Sequence, residues 1–600
     1  MSGGNLLVLA VVQLALTALP GIASTLLAMR LGARSVPVLL GIGLAGSGAT
    51  ALLAFWAYYL APSLGGVCAY AIFFGSVALA IWCRPVAAEQ KRLLRALSVP
   101  FGLWALGALF LIFFGFLHGG TEVALQTGAT RFASQPTQLA SDNFIPSFFS
   151  DWVFAGHPGS PPIFEPGWHF SDRPPLQVAY VLAQRIFGWD TTTLHFQLLG
   201  VILQQLWIVG LWALLTAARV SNRTRSLTMI AAFLSDVTIL NGFFVWPKLL
   251  AAAFALAALA LVVAPGGSPL KARPWTTVLL GALVALAYLS HGSAVFALIP
   301  LAVVAIRRGM PHWRRLAAGA AAALVLILPW AAYQHYGDPP GNRVVKWALA
   351  GVTKIDDRGT LDEVVHAYRE AGIGGALHNK LENFLTMAGG GPDTTVGPRA
   401  EWIHFGSAFT DTADAAEAVA EGRFGTAVSA IRESRFSHLL WSFGILILAL
   451  PLIVIGRIRG KRREGEDWSF ARLCLFVFGF GTLIWGLLLF GNPQARAIVI
   501  QDSLAMPIVA IAGLLAGLRA TYPRWATWLV AANAVTVVLL YVPALEPTPG
   551  SSYSPFAAVA AAAALAGFAA LAFSARSEAD PSQPRGPFSA TVAAPGNRRG

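Results

Sequence analysis

The sequence predicts an all-α polytopic membrane protein, and three observations carry that prediction. Of 600 residues, 56% are hydrophobic and only 12% are charged. With a mean hydropathy of +0.63, this composition excludes an ordinary soluble domain. Apolar stretches of about 20 residues, enough to cross a hydrocarbon core of ~30 Å, recur from the N-terminus to Phe573. They are rich in Ala, Leu, Val and Gly and lack the alternation of barrel strands, so helices are expected.

We read about 15 transmembrane helices, within a range of about 13 to 17. The expected spans are Leu6–Met29, Val36–Leu60, Leu64–Trp82, Ser98–Leu117, Thr193–Ala217, Ser226–Phe244, Leu249–Val263 and Thr276–Leu289. They continue with Ala294–Ile306, Leu316–Tyr333, His438–Ile455, Phe470–Phe490, Ile498–Leu518, Trp525–Val542 and Ala557–Phe573. The pairs flanking Trp246 and His291 are short and read equally as re-entrant or broken helices. Leu176–Phe187 is shorter still and reads as a helix lying at the membrane interface.

Lys and Arg in short loops set the orientation, because such loops stay cytoplasmic. Arg30 and Arg34, Arg84 to Arg95, Arg219 to Arg225, Lys271 and Arg273, and Arg307 to Arg315 fall in alternate loops. Arg457 to Arg463, Arg519 with Arg524, and the tail from Arg576 continue the series. Much of the +13 net charge is therefore a topology signal. With no basic patch interleaved with aromatics, nucleic acid is not an expected partner. The N-terminus and two long loops then lie outside the cytoplasm.

This gives N-terminal helices over 1–117, a first extracytoplasmic loop over 118–192, and central helices over 193–333. A second extracytoplasmic loop spans 334–437, C-terminal helices 438–575, and a Pro, Ser and Gly-rich cytoplasmic tail, expected to be disordered, 576–600. The first apolar stretch has no basic n-region and exceeds a signal-peptide core, so it is expected to remain as a span. Cys68, Cys83 and Cys474 have no metal-ligand spacing and no expected disulfide.

Chemistry is expected in the first loop, where polar residues gather at a bilayer edge. Asp142 and Asp151 bracket SDNFIPSFFSDW. At about 100° per residue, nine steps set them on opposite faces of one helix, so they do not form a simple dyad. Asp142 is the expected general base and Asp151 the second choice. The competing structural role for Asp142 is an N-cap on a helix beginning at Phe144. In GWHFSDRPPLQ two prolines stiffen the chain after Asp172 and Arg173. A guanidinium there suits bidentate phosphate binding, against the alternative of a local turn with headgroup contacts. Trp168 and His169 are substrate-binding candidates or interfacial aromatics.

Lys248 in VWPKLL and Arg496 in NPQARA are outer-side cations against the positive-inside trend. A phosphate on a lipid would explain both, whereas snorkelling to headgroups is the alternative for each. His291, in LSHGSA, is a further substrate-binding candidate or a satisfied structural histidine. Asp236 and Asp502 sit within apolar spans and could instead mark an ion path.

Taken together, SDN, SDRPPLQ, WPK and SHG at outer helix ends resemble the GT-C superfamily of integral membrane glycosyltransferases. The similarity is greatest to the bacterial branch related to protein mannosyltransferases and aminoarabinose transferases. It covers roughly Ser141 to Tyr333 by these motifs and later spans only by architecture. The resemblance implies a catalytic carboxylate at Asp142 and a polyprenyl-phosphate-linked sugar as donor, its phosphate met by Arg173, Lys248 and Arg496. It implies inverting displacement onto a lipid, glycan or protein acceptor outside the plasma membrane. Two departures stand out. Three additional spans precede the loop, and SDN replaces the familiar adjacent acidic pair, which leaves open a divalent metal; no cofactor or metal ligand is assigned.

The second loop holds 10 Lys or Arg against 14 Asp or Glu. It contains helix-like stretches such as LDEVVHAYREAG and DAAEAVAEGRF, with GGGPDTTVGP (Gly389 to Pro398) as its flexible part, and reads as a lid, an acceptor-recognition element or a passive loop. Two other classes compete. An O-antigen ligase or polymerase would use His404, Arg399 and Arg432, and a secondary transporter would use Asp236 and Asp502 but should show inverted repeats, which are not evident.

Overall fold

The computed structural model describes residues 3–117, 141–164, 167–188, 193–264, 274–309, 311–352, 358–389, 438–461, 465–491, 503–542 and 554–574, with isolated residues 420, 431, 435, 495 and 497. For 141–144, 193, 274 and 466 it describes the backbone course only. These residues are helical throughout apart from turns, with one isolated bridge between Phe164 and Trp168.

In chain order the helices are α1 (Gly3–Arg30), α2 (Val36–Leu60), α3 (Pro62–Trp82), α4 (Ala88–Gly115), α5 (Ser141–Phe154) and α6 (Leu176–Gln184). Next come α7 (Thr193–Gln204), α8 (Trp207–Ala217), α9 (Asn222–Phe233), α10 (Asp236–Phe244), α11 (Lys248–Val263), α12 (Pro274–Ser290), α13 (Val295–Arg307) and α14 (Trp313–Ala332). The last are α15 (Arg343–Ala350), α16 (Thr360–Ala388), α17 (Ala449–Ile458), α18 (Glu466–Leu488), α19 (Ala505–Thr521), α20 (Pro523–Tyr541) and α21 (Pro555–Ser574).

Among the described residues, ten helical segments are long and apolar enough to cross a membrane, or eleven if α9 and α10, bent by 50° at their junction, are one span. The chain is thus a multi-pass membrane protein. The α7–α8 pair counts as one of the ten, and α11, α12, α13 and α19 are apolar but shorter. These shorter helices cover four of the fifteen expected spans.

Helices that are apolar on every side must face either lipid or other helices. Here α8, α11 and α19 take the interior: every residue of α11 is buried, and α8 packs along it. By contrast α3 and the Trp313–Gly337 segment have few buried residues and form the periphery. Close helix contacts use small residues, as expected where backbone approach supplies much of the packing. A Cβ added at Gly21 of α1 would stand 2.7 Å from the Gly43 carbonyl of α2.

The basic loops meet one another. Arg30 donates to the Trp82 carbonyl at 2.7 Å, and Arg34 pairs with Glu89 at 2.9 Å. Ser221 and Thr224 both donate to the Asp467 carboxylate, at 2.9 and 2.6 Å. Arg308 reaches the Val263 carbonyl at 2.7 Å.

Two expectations need correcting. The helix expected at the interface, α6, is buried at all but one of its nine residues and packs chiefly on α2, so protein and not a membrane surface covers it. The helix of the first loop already includes Ser141 to Asn143, ahead of the expected start at Phe144, and runs unbroken through Asp151 with Pro146 inside it.

Candidate functional site

Three of the motif segments converge, and amide side chains hold them together. Gln177, the last residue of SDRPPLQ, donates to the Val245 carbonyl at 2.9 Å. Val245 ends α10 in the left-handed region (φ 49°), a conformation that costs a β-branched residue free energy and needs outside support. Gln204 supplies more of it: its amide donates to the Trp246 carbonyl, and its Oε1 accepts from Leu250 N at 3.0 Å. Thus the VWPK turn is stitched to α6 and α7, and Lys248 enters the first turn of α11 fully buried. Its ammonium lies 4.2 Å from the centre of the Trp246 ring, which meets the His291 ring edge to face at 5.2 Å.

His291 caps the turn after α12, its Nδ1 accepting from Ser293 N at 3.1 Å. Burial, and then the charges of Lys248 and Arg173, hold its pKa well below the ordinary histidine value. SDRPPLQ, VWPK and LSHG therefore share one electrostatic neighbourhood.

Around Trp168 the chain builds a second layer. The indole has the Arg343 guanidinium carbon 3.7 Å and the Arg173 guanidinium carbon 4.6 Å from its ring centre. Arg343, from the start of α15, also pairs with Asp172 Oδ2 at 3.4 Å, and the same oxygen accepts from His169 N at 2.8 Å. Burial raises the Asp172 pKa, while the His169 N–H, Arg173 and Arg343 work against that shift. Burial lowers that of Arg343, against the pull of Asp172.

Asp338 completes the layer. Its Oδ1 is 2.7 Å from His169 Nδ1, its Oδ2 accepts from Ser171 N at 2.8 Å, and its carbonyl accepts from Ser171 Oγ at 2.9 Å. Gln334 donates to the Ser171 carbonyl at 2.9 Å. The hydrogen bond to Asp338 raises the His169 pKa despite its burial.

Lys248, Arg343 and Arg173 are buried, at 1%, 3% and 7% exposure, and the layer around Trp168 also buries two carboxylates, Asp172, which pairs with Arg343, and Asp338, which meets His169. A phosphate ester is a ligand that suits planar guanidinium forks and an ammonium together. Among the described residues no group of three or more His, Cys, Asp or Glu is placed to hold a metal.

Of the other expected site residues, Asp151 forms an ion pair with Arg185, which also lies over Phe154 at 4.4 Å. Asp142 lies in the first turn of α5, and its side chain is outside the described residues, as are Arg496, Asp502, Arg399, His404 and Arg432. Asp236 is buried and bound by Arg435 at 2.9 Å and the Tyr541 hydroxyl at 2.6 Å. The three cysteines are free thiols.

Sequence reading missed Arg343, Asp338 and Gln177. The signal for the first two was weak: DPPGNR follows directly on an apolar span, repeating the acid, proline and arginine composition of SDRPP some 165 residues earlier. No protein-family model, curated protein or solved structure matches the chain.

Proposed function

We propose that this protein is a membrane glycosyltransferase of the GT-C kind, moving a sugar from a polyprenyl-phosphate donor to an acceptor outside the cytoplasm. The observation that supports the reading best is the buried pair Arg173 and Arg343, both lying against Trp168, with Lys248 and Arg173 sharing the surroundings of His291. A lipid-linked phosphate reaches such a site from within the bilayer plane, and no nucleotide-binding loop is required. The positive-inside pattern supports a plasma-membrane location with this site on the outer face.

In the proposed reaction Asp142 takes the proton of the acceptor hydroxyl, and the oxygen attacks the anomeric carbon from the face opposite the phosphate. The bond from carbon to phosphate oxygen breaks, and its electron pair leaves with the lipid phosphate. Arg173, Arg343 and Lys248 stabilise that developing charge, the larger contribution to the rate.

The test is transfer in proteoliposomes supplied with a panel of radiolabelled polyprenyl-phosphate sugars and a membrane extract as acceptor source. Transfer by the native chain and a loss of at least about 100-fold in Asp142→Asn is the expected result. Transfer that survives Asp142→Asn removes that residue as the base, and no transfer from any polyprenyl-phosphate sugar overturns the reading.

A further inference from the structure

The His169 imidazole is held at one nitrogen and unpartnered at the other. Nδ1 faces Asp338 at 2.7 Å, and Asp338 is itself fixed through its second oxygen and its carbonyl by Ser171. A carboxylate bound in this way keeps the proton on Nδ1, so the neutral ring presents a lone pair at Nε2. Nε2 is buried and has no hydrogen-bond partner. Leaving such an atom unsatisfied costs about 1–3 kcal/mol, so its retention in a ring so carefully oriented asks for a ligand.

The position points to which ligand. His169 follows Trp168, the indole against which both guanidinia lie, and its own backbone N–H binds the carboxylate of Asp172, which Arg343 shares. We propose that His169 is a proton-carrying ligand of the phosphate site: when the lipid phosphate monoester left by sugar transfer occupies it, Nε2 takes up a proton from solvent and donates it as a hydrogen bond to a phosphate oxygen, with Asp338 as the positioning residue. The inference rests on the phosphate reading above and deepens it.

The charged groups facing the ring are Asp338 from the turn after α14, Asp172 from its own loop and Arg343 from α15. Tyr59 of α2 and Tyr333 face Asp338, and the His157 ring lies 4.4 Å from that of Tyr59. The carboxylates favour the imidazolium and Arg343 opposes it, with the hydrogen bond to Asp338 outweighing burial to raise the histidine pKa.

The experiment is calorimetric binding of farnesyl phosphate, with inorganic phosphate in parallel, to the purified full-length protein in lipid nanodiscs. Heats are compared in buffers of different ionisation enthalpy between about pH 6 and about pH 9, which reads proton uptake directly. The native chain is expected to take up as much as about one proton per farnesyl phosphate on the alkaline side of the range. His169→Asn keeps an amide donor toward Asp338 but removes Nε2, and should abolish the uptake and weaken binding about tenfold at neutral pH. Asp338→Asn should move the pH of maximal uptake downward, a change that a purely structural role would not produce.

Proton uptake that is absent from the native chain, or unchanged in His169→Asn, overturns this inference while the phosphate site stands. Equal affinity for inorganic phosphate keeps the histidine role and overturns the lipid donor. If neither phosphate binds, both readings fall together.

Discussion

The Arg343 guanidinium carbon lies 3.7 Å from the centre of the Trp168 ring, joining residues from the two long loops in a single stack. Arginine does this through its flat, weakly hydrated head, and a lysine cannot reproduce it. Arg343→Lys keeps the charge and loses the plane. We expect farnesyl phosphate to bind about tenfold more weakly to Arg343→Lys, and more weakly still to Arg343→Met. Calorimetry on the three proteins gives the order, and equal affinities would remove Arg343 from the phosphate site.

The dyad of His169 and Asp338 makes a stability prediction with a definite sign. His169 has a folded pKa raised above the unfolded value of about 6.5. Its contribution is therefore fully present below the unfolded pKa and is lost as pH rises through the folded one. Asp338→Asn should destabilise the protein by about 1–3 kcal/mol near pH 5.5, and by less near pH 8.5. Unfolding followed in detergent at both values tests this, and a gap that stays constant with pH would disprove the linkage.

Asp236 belongs to a different structure. Its carboxylate binds Arg435 and Tyr541, and a Cβ at Gly444 (φ +51°) would lie 2.9 Å from Oδ2. Removing one partner of a buried pair leaves the other charge stranded, typically at about 3–5 kcal/mol. Asp236→Ala should lower stability by about that amount, and Arg435→Leu in the same chain should recover much of it. An Asp236→Ala protein of undiminished stability but altered ion flux in liposomes would revive the transport reading.

Asn383, fully buried on α16, donates to the carbonyls of Gly486 and Leu489 at 2.9 and 3.0 Å and accepts from Ala497 N at 3.1 Å. Lys380, one turn earlier, binds the Leu489 carbonyl as well. Asn383→Leu is expected to cost about 2–4 kcal/mol, since three backbone groups lose a partner at once. Protease sensitivity at Leu489 and Phe490 should rise with it; resistance that persists there would show that Lys380 holds that backbone alone.

The helices were legible in the sequence because length and apolarity suffice to mark them. What length and apolarity do not mark is burial within the bundle: they predict an interfacial helix at α6, where α2 covers it. Trp168, Asp172, Arg173, Lys248 and His291 could be picked out because each breaks a rule of composition or topology at a helix end. Arg343 and Asp338 break none. They join the site only because the chain returns to it after the central helices, a long-range pairing that no local pattern encodes. Asp151 shows the converse: a carboxylate in a suggestive segment, bound to Arg185.

Lys248 sits at the start of its helix on a turn whose carbonyls are held by Gln177 and Gln204, side chains belonging to two other helices. The lysine therefore does not keep its own position. Any sliding of α6 or α7, by even a fraction of a helical turn, is passed through those amides to the turn that carries the ammonium, so this charge is steered by its neighbours.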